Sequence, residues 1–213
     1  MGTEAANEGR GRLEMAVHRI IEANAANRGD ATAIADARIR LSYRELNQRA
    51  NAVARHLIAN GFRRGVVATV NLPRSAETAV ILLGILKAGG TYVLIDAGTS
   101  DAPSPPGVSF ADRTELDEVR YRTVEIMPAL ARALQSCANL PIIAKASDVA
   151  CAIPDRNGSP LLLVPHATIM SLQRGAASPF AEWSGEPGAF DLWAGLMSGA
   201  TVMLTDPALR SAA

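Results

Sequence analysis

The chain has 213 residues, 48% of them hydrophobic, and its 21 basic residues balance 21 acidic ones. That apolar share supports one substantial core or two small ones, while the charge balance provides no overall field to draw the chain onto nucleic acid or an anionic membrane. No stretch offers the roughly 18 uninterrupted apolar residues of a membrane span, and the polar, mixed-charge start MGTEAANEGRGR is unlike a secretory signal; a soluble cytoplasmic protein with a disordered start over 1–12 is expected.

Leu13, Val17, Ile20, Ile21 and Ala25 share one face of an amphipathic helix that ends near Arg28, Gly29 and Asp30. Short strands are expected over 31–35 and 38–41. Ser42 followed by Glu45 forms a capping box, in which hydroxyl and carboxylate each accept from a backbone N–H left unpaired at a helix start. The inward face of that helix is Leu46, Ala50, Val53, Ala54, Leu57 and Ile58, and Asn60 with Gly61 supplies a left-handed stop. A strand follows at 66–70. Pro73 and Ser75 introduce a helix over 76–88 that is apolar almost all round and so needs cover on both sides. Gly89 and Gly90 end it, and a strand follows at 91–95. Strand, helix, strand without a hairpin signal implies parallel pairing through a right-handed crossover.

The segment AGTSDAPSPPGV at 97–108 reads as an exposed connection, rich in Pro, Gly and Ser. Beyond it, Ile126, Leu130, Ala131 and Leu134 mark an amphipathic helix, with strands near 141–144 and 149–153. A short apolar run at 161–164, helices at 166–173 and 190–197, and a strand at 200–204 complete the series. The alternation argues for an α/β layered fold, a largely parallel sheet with flanking helices. Its domain spans 13–207 with a tail at 208–213.

Two stretches, LSYREL at 41–46 and LKAGGTYVLID at 86–96, resemble the first two signature motifs of the amino-acid adenylation domains of nonribosomal peptide synthetases. They stand in that family's order, and the second departs from it in having Leu94 where Pro is usual. VPHATIMSL at 164–172 resembles the stretch after the family's phosphate loop, and FDLWAGLMSGATVML at 190–204 resembles its substrate-pocket helix and following strand. The resemblance implies the front part of the large lobe of an adenylate-forming enzyme, close over 13–96 and degenerate over 109–207. Both signature motifs read as scaffold, a strand end with a helix cap and a helix stop with a buried strand.

Members of that family use ATP to convert an amino acid to its adenylate and then hand the acyl group to a carrier-protein thiol. The resemblance implies a phosphate cradle of Gly, Ser and Thr ending in Pro-Lys-Gly, where small residues admit close backbone N–H groups and the lysine adds charge. Here the corresponding stretch, IPDRNGSPLLL at 153–163, is shorter, has no lysine and carries Asp155. Arg156, Asn157, Gly158 and Ser159 are the candidate remnant of a nucleotide site, and a plain surface turn is the competing reading. Asp191 is the substrate-site candidate, since the family places an Asp after Phe there to hold the substrate ammonium; it serves equally as a negative charge on a helix start. Residues usual between this Asp and the next Trp are missing, and the chain stops soon after the last strand.

Cys137 and Cys151 fit neither a disulfide framework nor a zinc spacing and are expected as buried free thiols. His18, His56 and His166 are scattered in sequence without metal-ligand spacing, and Trp183 and Trp193 read as packing or partner-surface residues. The sum predicts a catalytically inactive adenylation-like protein without a catalytic residue or metal site, taking ATP and Mg only if the remnant site functions. Its expected partners are synthetase modules, a carrier protein or a second copy of itself. A reduced adenylate-forming enzyme and a decayed fragment are the alternatives.

Overall fold

The computed structural model describes residues 15–36, 38–95, 107–113, 119–124, 138–141, 144–153, 162–171, 180–182 and 189–204. The amino-terminal part runs α1 (Val17–Asn27), β1 (Thr32–Ala35), β2 (Arg40–Ser42), α2 (Tyr43–Ala59), β3 (Val67–Asn71), α3 (Ala76–Lys87) and β4 (Thr91–Ile95). Then come β5 (Gly107–Arg113), β6 (Val119–Val124), β7 (Val149–Ile153), β8 (Leu162–Pro165), α4 (His166–Ser171), β9 (Phe180–Glu182), α5 (Phe190–Ser198) and β10 (Thr201–Met203). No helix among the described residues is long and apolar enough to cross a membrane.

The α/β architecture is divided between two mixed sheets, of order β2-β1-β10-β9 and β6-β5-β3-β4-β7-β8. Each has a parallel centre: β10 runs parallel to β1 and β9, and β4 runs parallel to β3 and β7. Antiparallel strands β2, β5, β6 and β8 extend these centres. The pairing of Ile34 with Val202 and Ala35 with Met203 closes the start of the chain onto its far end.

Local chemistry accounts for the helix boundaries. Glu45 N–H donates to Ser42 Oγ at 3.2 Å and Ser42 N–H donates to the Glu45 carboxylate at 2.8 Å, which completes the capping box of α2. Gly61, at φ 92°, takes the left-handed position after that helix, which a side chain would disfavour. Leu46, Ala50, Val53, Ala54 and Leu57 are fully buried, whereas Ile58 is 40% exposed. Ile58 lies about 100° round the helix from Leu57, off the buried stripe.

Helix α3 is buried along almost its whole length, including Lys87. Its Gly84 sets the approach to α2, because a Cβ there would lie 2.5 Å from Val53 Cγ1.

Three expectations change. Gly107 and Val108 belong to β5 rather than to the exposed connection at 97–108; Val108 is 1% exposed and paired with Val70 and Val124. The hairpin β5–β6 adds two strands that the sequence reading did not place. Pro141 and Ala144 lie outside any strand. Just before them, Asn139 Oδ1 accepts from Asn47 and Asn51 at 2.9 and 3.1 Å, and Arg55 donates to the Ala138 carbonyl, so this segment pairs with α2 instead of a ladder. The expected helix at 126–134, Cys137 and Trp183 lie outside the described residues.

Candidate functional site

Asp191 stands half-buried in the first turn of α5. The residue before that helix, Ala189, is fully buried with φ 55° and ψ 37°, a left-handed conformation few non-glycine residues adopt. Below the first turn, Trp193 Nε1 donates to the Tyr92 hydroxyl at 2.6 Å, and both side chains are fully buried. This bond ties α5 to β4, the centre of the six-stranded sheet. Cys151, the register partner of Tyr92 on β7, is a buried free thiol. Burial raises its pKa to about 11, which makes it an inert packing group rather than a nucleophile.

The carboxyl end of α5 leaves carbonyls with no intrahelical donor. Side chains from the start of the chain supply donors. Asn24 Nδ2 donates to Leu196 and Met197 carbonyls at 2.8 and 3.1 Å, and Arg28 donates to the Gly199 carbonyl at 2.8 Å. The buried Tyr43 hydroxyl, 3.1 Å from the Leu196 carbonyl and 2.7 Å from that of Ala200, shares its proton between them. The Asp191 helix is therefore held at both ends by residues far away in sequence. The sequence marks Trp193 as a packing or partner-surface residue and Tyr43 as part of a scaffold motif, and it carries no periodic signal for a clamp made of such distant contacts.

The nucleotide candidates Arg156, Asn157, Gly158 and Ser159 lie between β7 and β8, outside the described residues. Their flanks are well defined: Ile153 pairs with Leu162 and Ala152 with Leu163. Leu162 and Leu163, which the sequence reading counted with the loop, are strand residues exposed by 63% and 57%. Ile153 and Leu162 bring apolar side chains to the two ends of the loop, and the residues between them that would meet a phosphate lie outside the described ones. Among the described residues, no group of three or more His, Cys, Asp or Glu is placed to hold a metal ion.

His18 and His166, scattered in sequence, come together with ring centroids 6.1 Å apart. Burial lowers their pKa values to about 3 and about 4; Lys87 and Arg19 add to the shift at His18, while Asp148 opposes it at His166. Both rings are neutral at physiological pH.

Comparison with known proteins defines the class first. Residues 21–103 match the family described as AMP-binding enzyme. The N-terminal subdomain of NpsA from Klebsiella oxytoca superposes with a TM-score of 0.75 at 18% identity, covering 94% of this chain and 58% of that one. The chain thus shares the fold of part of that N-terminal subdomain.

Bacitracin synthase 1 of Bacillus licheniformis is 28% identical over 210 residues, covering 89% of this chain and 4% of the synthase. Chondramide synthase cmdD of Chondromyces crocatus is 32% identical over 182 residues, covering 78% of this chain and 5% of the synthase. Over most of its length the chain is similar to nonribosomal peptide synthetases, and it spans a small part of those synthases.

Proposed function

We propose that this chain is a catalytically silent, adenylation-like binding module of nonribosomal peptide biosynthesis. The observation that carries the reading is the outer edge of the six-stranded sheet. There β8 is the terminal strand, with Leu162 and Leu163 exposed by 63% and 57%. At one edge of the other sheet, β2 and its approach carry exposed Arg38 and Arg40, and such charges discourage edge pairing. Among the described residues the edge at β8, Leu-Leu-Val-Pro, carries no charge and suits a partner.

Silence is supported by the sequence between the two strands. The stretch 153–163 has no lysine and has Asp155 where the family's phosphates lie. Each charge-assisted hydrogen bond missing from a cradle forfeits about 1.5–3 kcal/mol. The partner proposed is a synthetase module bearing a carrier protein.

The test is capture of purified modules by the full chain, with light scattering for its own mass. Capture that Leu162→Lys with Leu163→Lys abolishes is the expected result. A monomer that binds no module overturns the proposal.

Asp191, held in the first turn of a helix clamped at both ends, favours a second reading, a reduced enzyme that adenylates an amino acid or another carboxylic acid. ATP–pyrophosphate exchange across such acids, with calorimetry for ATP, separates the two. Exchange establishes the enzyme; neither exchange nor heat leaves the binding module.

A further inference from the structure

Strand β8 runs straight into α4, and His166 is the residue at the joint, 1% exposed. Its Nδ1 accepts from the N–H of Val17, the first residue of α1, at 3.2 Å. The residue before α1 is Ala16, whose side chain supplies no cap. The imidazole nitrogen therefore does, from across the fold, what a Ser or Asp usually does from the N-cap position.

An accepting Nδ1 carries no proton, so the ring is neutral with its hydrogen on Nε2. The corner is fixed from the backbone as well: His166 N–H donates to the Asp148 carbonyl at 3.0 Å and Ala167 N–H to the Ala146 carbonyl at 2.9 Å. His18 meets the His166 ring edge-on at 74°, and its own Nδ1 is buried without a hydrogen-bond partner.

From this geometry we infer that His166 is a positioning residue, a latch that keeps α1 docked on the β8–α4 corner, and the edge of β8 in place, while its ring is neutral. The functional meaning of the latch rests on β8 being the docking edge.

A proton taken from solvent onto Nδ1 converts the acceptor into a donor facing the Val17 N–H. It also adds charge beside groups that are mostly cationic. Arg19 on α1 and Lys87 on α3 act on His18, and among the described residues only Asp148, just before β7, attracts a charge on His166. Glu22 on α1 is engaged by Arg19 and Lys87. Helix α2 contributes Arg55, acting through Lys87, and α5 contributes Asp191 as its one titratable side chain. Burial holds His166 down to about 4, which keeps the latch closed through the neutral range.

The experiment uses the full chain. Ring nitrogen NMR reads the tautomer of His166, and amide hydrogen exchange follows α1 against β3 and β4 as pH falls. In His166→Leu, α1 exchange rises roughly tenfold at neutral pH while β3 and β4 keep their protection. In His166→Asn, whose amide oxygen accepts without titrating, neutral-pH protection returns and the acid-triggered rise in α1 exchange shrinks to the part that His18 carries.

A proton on Nδ1 at neutral pH, or an acid profile in His166→Asn that matches the parent, overturns the inference; both readouts stand even where His166→Leu does not fold. Neither needs a partner, so the latch and the docking edge fail separately.

Discussion

Lys87 is buried within α3, 2% exposed, and its ammonium reaches Glu22 Oε1 at 2.5 Å. Arg19 binds the other carboxylate oxygen at 2.5 Å. Burial pulls Lys87 down to about 8 despite the attraction of Glu22. A buried pair of this kind gives little net stability, but removing one partner leaves the other uncompensated. Lys87→Met strands a carboxylate that is 6% exposed, with only Arg19 left beside it. The expected loss is about 3–5 kcal/mol in urea unfolding, and Lys87→Met with Glu22→Leu recovers most of it. A single variant within about 1 kcal/mol of the parent would show that Arg19 alone satisfies Glu22.

Between elements, α2 and α3 meet at Gly84. Alanine is the better helix former by about 0.8–1.0 kcal/mol, yet its Cβ would stand 2.5 Å from Val53 Cγ1 and 2.8 Å from Val53 Cβ. Overpacking of this sort costs about 1–3 kcal/mol and outweighs the propensity. Gly84→Ala is expected to lower the thermal midpoint, and Val53→Ala in the same chain to restore part of it, a non-additivity that a double-mutant cycle measures. Equal effects with and without Val53→Ala would place the strain elsewhere.

The elements up to β4 were legible because each carries its own local signal. Ser42 and Glu45 cap α2, Gly61 follows its end, and the 3.6-residue period of α1 and α2 matches their buried faces. What the sequence could not show was assembly. No local pattern says that β1 pairs with β10, or that the carbonyls after Leu196 are met by Asn24, Arg28 and Tyr43. The candidate site divides along the same line: Asp191 is a candidate through the resemblance of Phe-Asp to the family's motif, and its place in a first helical turn was legible, whereas the contacts that hold that helix come only from the fold.

For the molecule as a whole, the shifts of His18, His166, Asp148, Glu45 and Asp36 act in one direction on acidification. His18 and His166 ionise near 6.5 when unfolded but at about 3 and about 4 when folded, through burial. The unfolded chain therefore binds more protons below pH 6.5, and stability falls as pH drops from there toward the folded values. The slope approaches about 1.4 kcal/mol per pH unit for each histidine. Carboxylates extend the loss at lower pH. Asp148 is held below its usual range by Arg64, and Glu45 by the Ser42 N–H. At Asp36 burial pushes upward, but the N–H groups of Arg38, Ile39 and Ala76 outweigh it and hold the pKa down. These three contribute stability above about pH 4 that disappears as they protonate.

From pH 6.5 to 4.5 the two histidines together cost up to about 5 kcal/mol, a large part of a total stability of about 5–15 kcal/mol. The urea midpoint is therefore expected to fall steadily from pH 6.5 to 4.5. In His18→Phe with His166→Asn the fall over that interval should largely vanish, leaving a drop only below about pH 4. A parent midpoint that stays level down to pH 4.5 would mean that the two rings take up protons in the folded state at their ordinary values, and that the contact between α1 and α4 tolerates their charge.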